Sequence, residues 1–145
     1  MGTLELRGFS YDGHRTPAPN RRPGAAVQTP NPSRSLAHPE TGEIRLEGVL
    51  HALSDPMRLL ITQELAAAGE AELSCSVFDL PVSKSTTTHH FRVLRESGVV
   101  RQVYRGTAKM NSLRRDDLDA LFPGLLDSVL SAHAAQTARL GDARA

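Results

Sequence analysis

Between Ser83 and Arg92 the chain reads Ser83-Lys84-Ser85-Thr86-Thr87-Thr88-His89-His90-Phe91-Arg92. Lys84, Ser85, Thr88, His89 and Arg92 fall together on one side of a helical wheel, with no carboxylate until Glu96. They offer an ammonium, hydroxyls, an imidazole and a guanidinium. Short donors and acceptors of this kind match the edges of base pairs, and a cation further along suits a phosphate. Catalysis is a poor fit to the same residues. Cys75 with His89 or His90 makes a nucleophile–base pair in name only, because no acid is placed to orient the imidazole, and no glycine-rich phosphate loop occurs. The chain is therefore expected not to be an enzyme and to need no cofactor.

Such groups need a helix to hold them in register. Ser83 can accept a backbone N–H of the first turn, and Gly98 can take the left-handed conformation that ends a helix. Thr87, Phe91 and Leu94, at spacings of four and three, give the apolar back, and His90 beside Phe91 reads as packed. Upstream, Ile44, Leu46, Val49, Leu50 and Leu53 predict a short amphipathic helix. Asp55-Pro56 opens a second, running to Ala68 before Gly69. Glu72 and Leu73 suggest a brief strand, and Ser76 to Leu80 a short helix closed by Pro81.

After Gly98 the period changes. Val99 to Val103 and Ala108 to Leu113 predict a hairpin turning at Gly106, with Arg101, Arg105 and Lys109 on its flanks and tip. Helical spacing returns from Asp116 to about Leu140, interrupted at Pro123-Gly124. The expected fold class is mainly α with a small β-hairpin: a winged helix-turn-helix, with the wing reaching phosphate while the helix lies in the major groove.

Charge is distributed to match. The formal net charge of the 145 residues is only +1. Yet Lys84 to Arg115 holds eight cations against Glu96 alone, while Glu43 to Asp79 holds seven acids against Arg45 and Arg58. A contiguous basic block in a near-neutral protein is the footprint of a polyanion partner. Residues 1–40 contain six of the nine prolines and no sustained apolar period, so a disordered arm is expected there, with Arg15, Arg21, Arg22 and Arg34 available to phosphates. The folded domain is expected over 41–140, with 141–145 a disordered tail. No apolar run approaches the roughly 20 residues of a membrane span, no secretory pattern opens the chain, and the lone Cys75 fits a reducing cytoplasm.

From about Val49 to Leu130 the residues resemble the arsenical-resistance-repressor (ArsR/SmtB-type) family of bacterial transcription factors. The resemblance is carried by Leu53-Ser54-Asp55-Pro56-Met57-Arg58-Leu59, by Ser83 to Val100, and by the hairpin. It implies a homodimer built from the first and last helices, through Leu46, Val49, Leu50, Leu53, Leu121, Leu125 and Val129, on an inverted-repeat DNA operator. Ser83, Lys84, Ser85, Thr88 and His89 would meet DNA, and Arg92, Arg101, Arg105 and Lys109 its backbone. Many relatives sense metals through a Cys-x-Cys pair. Here the stretch is Leu73-Ser74-Cys75-Ser76, and Arg115, Asp117, Ser128, Ser131 and a solitary His133 lack the imidazole set of the family's other metal site. No metal site is expected, and the effector is unknown. Cys75 is read as an inert thiol, with an oxidation-sensitive one as the alternative. The rival to a sequence-reading repressor is a winged-helix module that docks on protein, which would tend to lose cations from helix and wing.

Overall fold

The computed structural model describes residues 35–142, and the expectations for 1–34 and 143–145 lie outside them. A 3-10 turn at Thr41–Glu43 leads into α1 (Leu46–Leu53) and α2 (Pro56–Ala68). Strand β1 (Leu73–Ser74) follows, then a 3-10 turn at Cys75–Val77 and α3 (Lys84–Glu96). The chain continues as β2 (Val100–Arg105), β3 (Ala108–Leu113), α4 (Arg115–Leu121) and α5 (Leu125–Leu140). The sheet is antiparallel in the order β1-β3-β2, with Leu73 opposite Asn111 and Val100 opposite Leu113. This is a winged helix-turn-helix.

Several elements begin and end where local chemistry requires. Asp55 accepts from the backbone N–H groups of Met57 and Arg58, at 2.8 and 3.1 Å, just ahead of Pro56 at the start of α2. Gly69 follows α2 at φ 64°. Pro123-Gly124 splits the last helical run into α4 and α5, Gly124 standing at φ 79°. At the wing tip Arg105 pairs with Ala108, so Gly106 and Thr107 alone make the turn, Gly106 at φ 64°.

Three expectations are corrected. Ile44 precedes the first helix, in extended conformation and buried. The expected helix from Ser76 to Leu80 is absent. Only Cys75–Val77 turns, and Phe78 is extended, which lets its ring pack edge-on against Phe91 with centroids 5.2 Å apart. The brief strand expected at Glu72 and Leu73 forms as β1, over Leu73–Ser74, and joins the hairpin. Order also begins before Thr41, because residues 38–41 are pinned to the domain: His38 Nε2 accepts the Gln102 N–H at 2.9 Å, Pro39 O accepts from Arg114 Nη1 at 2.8 Å, and Thr41 Oγ1 donates to Asp117 at 2.9 Å.

The core sits where α1, α2 and α3 cross beneath the wing. Val49, Ala52 and Leu53 from α1 meet Ile61 and Leu65 from α2 and Phe91 and Leu94 from α3, closed by Val99, Val100, Leu118 and Leu126. Val49 and Leu53, at 1% and 5% exposure, are thus core residues of the single chain, which corrects their expected place in a dimer contact. A strip of apolar residues four and three apart has two edges, and the fold covers only the one that faces α2 and α3.

Gly98 carries the tightest steric demand. At φ 84°, a Cβ there would lie 2.5 Å from Ile44 Cγ1 and 2.7 Å from Cδ1. Gly98→Ala therefore combines left-handed strain with a clash in the core. It is expected to lower unfolding free energy by about 1–3 kcal/mol, as read by urea denaturation; a loss of only a few tenths would contradict the tight packing.

Candidate nucleic-acid interface

The interface is built outward from the anchored side of α3. Ser83 caps the helix, its Oγ accepting the Thr86 N–H at 3.2 Å and lying within 3.0 Å of Ser85 Oγ and 2.9 Å of Thr86 Oγ1. Phe91, Leu94 and His90 are buried, while Ser83, Lys84, Ser85, Thr88, His89 and Arg92 are all exposed. The sequence-expected face thus emerges intact on one side of one helix. Its hydroxyls are already oriented: Thr87 donates to Ser83 O at 3.1 Å and Thr88 to Lys84 O at 2.9 Å. With its proton spent on the backbone, Thr88 presents lone pairs outward, so the face mixes acceptors with the donors of Lys84 and His89.

The way α3 is held involves residues whose part the sequence did not reveal. Arg58 is buried, donating from Nε to Ala52 O at 2.6 Å and from Nη2 to His51 O at 3.2 Å, both at the C-terminus of α1. Its Nη1 lies 3.4 Å from His90 Nδ1, and Asp55 is 3.8 Å from the same nitrogen. Burial lowers the His90 pKa, the Arg58 cation adds to this, and Asp55 opposes it. A neutral ring with Nδ1 free to accept fits that environment. Asp55-Pro56 and an arginine two residues later hint at a capped helix start, but nothing local says that this arginine turns back to α1.

The wing uses inward polar residues in place of apolar ones. Asn111 is fully buried: Nδ2 donates to Leu73 O at 3.0 Å and to Cys75 Sγ at 3.2 Å, and Oδ1 accepts from Gln102 Nε2 at 3.0 Å. Gln102 Oε1 in turn accepts from Arg95 Nη1 at 2.7 Å. This network ties β1, β2, β3 and α3 together, with Cys75 as an acceptor at its edge. Strand alternation was the available signal, since Gln102 shares inward parity with the buried Val100.

The basic block separates into groups. Arg105 grips Glu72 through Nε at 3.1 Å and Nη2 at 2.9 Å, which lowers the Glu72 pKa and raises that of Arg105. Arg114 holds Asp117 at 2.8 Å and Arg115 holds Asp127 at 2.8 Å. Arg92 and Lys109 share a recess with Thr88 and Arg95 between α3 and the wing. Lys109 Nζ lies 5.6 Å from the Tyr104 ring centroid, and among the described residues Lys84 and Arg92 have no ion-pair partner. Arg101 does not join them. It lines a different depression with Gly69, Glu70, Arg114, Arg115 and Asp117, because its strand position has the opposite parity to Gln102.

Residues 53–103, which run from the end of α1 through α3 into β2, match a helix-turn-helix domain family. Over 83 residues the chain is 35% identical to an uncharacterized HTH-type transcriptional regulator, YceK, of Bacillus subtilis (strain 168), covering 56% of this chain and 82% of that one. The chain belongs to the helix-turn-helix transcriptional regulators. Among solved structures it is similar to an ArsR-like transcriptional regulator from Rhodococcus sp. RHA1, with 29% identity, 65% of this chain and 83% of that chain covered, and a TM-score of 0.45. Another is an ArsR family transcriptional regulator, with 20% identity, 77% and 100% coverage, and a TM-score of 0.43. The resemblance stretch Ser83 to Val100 lies wholly within the family match, so in this helix-turn-helix regulator α3 occupies the matched segment. The protein is a transcription regulator and not an enzyme.

The titrating groups that hold the interface give it a pH signature. His38, lowered by burial and by Arg101, Arg95 and Arg114, and His90 both have folded pKa values below the ordinary 6.5. The unfolded chain then binds more protons as pH falls through about 6.5, so this stability is complete above that pH and is lost below it. Glu72 and Asp117, lowered by Arg105 and Arg114, lose theirs only as pH falls through the carboxylate range near 4. Thermal midpoints measured across pH should fall in two stages, and the double change His38→Gln with His90→Gln should remove the upper one. An unaltered upper stage would contradict the assignment.

Proposed function

We propose that this regulator is a cytoplasmic repressor that binds an inverted-repeat operator as a homodimer and answers to an effector other than a metal. The observation that carries the reading is the outward face of α3. Six polar or basic side chains, Ser83, Lys84, Ser85, Thr88, His89 and Arg92, stand exposed on a helix whose opposite side is locked in the core. Lys84, Ser85, Thr88 and His89 would face base edges, with Arg92 and Lys109 at the backbone. Arg105 can reach phosphate by leaving Glu72. Arg101 stands apart and is assigned no DNA contact.

Support for the dimer comes from what the single chain leaves open. Leu46 and Leu50, one turn apart on α1, are 43% and 46% exposed. Leu46 lies beside Phe122 and Leu125 at the break between α4 and α5, and Leu121 and Val129 are half-buried nearby on those helices. Apolar side chains left open on the first and last helices suit a two-fold contact. The non-metal effector rests on the donor set: the chain has one cysteine, and its sulfur already accepts from Asn111 and Gln102.

In gel shifts with the DNA upstream of its own gene, Lys84→Ala should lose preference for the operator over scrambled duplex by about 1–3 kcal/mol. Arg92→Gln should weaken both duplexes alike. If Lys84→Ala tolerated every operator variant as the wild type does, the groove assignment would fail. Independently, Leu50→Glu should turn a dimer into a folded monomer in sedimentation and abolish half-site cooperativity. An unchanged sedimentation coefficient would place the subunit contact elsewhere.

A further inference from the structure

We propose that the recess between α3 and the wing, about 210 Å³ in volume and walled in part by Arg92, Arg95, Lys109, Gln102 and Thr88, binds a free oxyanion of phosphate size. Three cations converge on it, and among the described residues no carboxylate lines it. This sets it apart from Arg105, Arg114 and Arg115, each of which is neutralised by an acid. Mutual repulsion among the three is relieved only by an anion or by solvent.

Arg95 is the centre of the argument. Its Nη1 is fixed on Gln102 Oε1, and Gln102 is itself held by Asn111, so the guanidinium is set before any ligand arrives. Among the described residues its Nε, withdrawn from solvent, has no partner, and its Nη2 has none. These two nitrogens form one edge of the planar fork, the edge that meets two oxygens of a phosphate, sulfate or carboxylate side by side. A buried donor left unpaired is uncommon and invites a missing partner. Size suits the class: at about 30 Å³ per water, the recess holds a handful of waters or a single small oxyanion with part of its shell.

The consequence for regulation rests on the proposed DNA surface. Arg92, Lys109 and Thr88 belong to both sites, so a bound oxyanion and the operator backbone compete. The same chemistry could come from the DNA, a phosphodiester in place of a free ion, and the test separates the two.

The experiment is an NMR titration of the full chain, following arginine Nε–H signals as inorganic phosphate replaces chloride at constant ionic strength. A saturable shift of the Arg95 signal is expected. Arg95→Gln should weaken phosphate binding roughly tenfold or more, the range for losing hydrogen bonds to a charged group. Arg95→Lys should weaken it less, and Arg45→Gln, in an exposed pair with Glu47, should leave it unchanged. Should Arg95→Gln fail to fold, Lys109→Gln must weaken binding by itself. Absence of a saturable shift, or one indifferent to both Arg95→Gln and Lys109→Gln, overturns the proposal. A signal that moves with duplex and not with phosphate also overturns it, since the recess would then be a phosphodiester seat only. Phosphate binding in a protein that shifts no duplex upholds the recess and refutes the DNA reading.

Discussion

Arg58 fills the space where three helices meet, and the presentation of α3 depends on how that buried cation is accommodated. A guanidinium taken out of water needs its donors occupied and its charge opposed. Here the carbonyls of His51 and Ala52 do both, because they lie at the end of α1, where carbonyls are freed from the i+4 ladder and the helix dipole is negative. The remaining donor turns to His90 on α3. One side chain thus sets the end of α1, the first turn of α2 and the middle of α3 relative to one another. Phe91 and Leu94 supply the burial energy that seats α3, while Arg58 fixes which way round it sits.

From that seat the rest follows in layers. The apolar side of α3 is consumed by the core, so its polar side has nowhere to point but outward. The wing is then attached through polar contacts: Asn111 binds β1 and the turn that carries Cys75, and Gln102 passes the connection to Arg95 on α3. A buried amide with every donor and acceptor used is specific in a way an aliphatic contact is not, because a shift of register leaves it unsatisfied. Helix and wing are held at one spacing by hydrogen-bond geometry as much as by shape.

How much of this the sequence disclosed follows the range of the interaction. The start of α3 at Ser83, its end before Gly98, the Asp55 cap and the break at Pro123-Gly124 are settled by neighbours within a few residues, and each was readable. The outward face of α3 was legible for the same reason. What escaped depends on partners far along the chain: Glu72 on Arg105, His38 on Gln102, Arg114 on Pro39, Arg58 on His90. Periodicity marked Leu46, Val49, Leu50 and Leu53 as one stripe, yet only packing decides that Val49 and Leu53 go inside and that Leu46 and Leu50 stay out. Composition marked a basic block without showing that three of its arginines are already neutralised.

The grip of Arg105 on Glu72 alters how the wing responds to an approaching duplex. A cation that meets DNA from bulk water displaces a condensed counterion and adds to the steepness with which affinity falls as salt rises. Arg105 arrives already matched to a carboxylate, so a phosphate at the wing tip only exchanges one anion for another, and the freed Glu72 must be moved away from the polyanion. The tip therefore adds little general stickiness for nucleic acid. On the proposed DNA contact, it would close on a backbone only where the shape of the duplex brings a phosphate close enough to displace the resident acid.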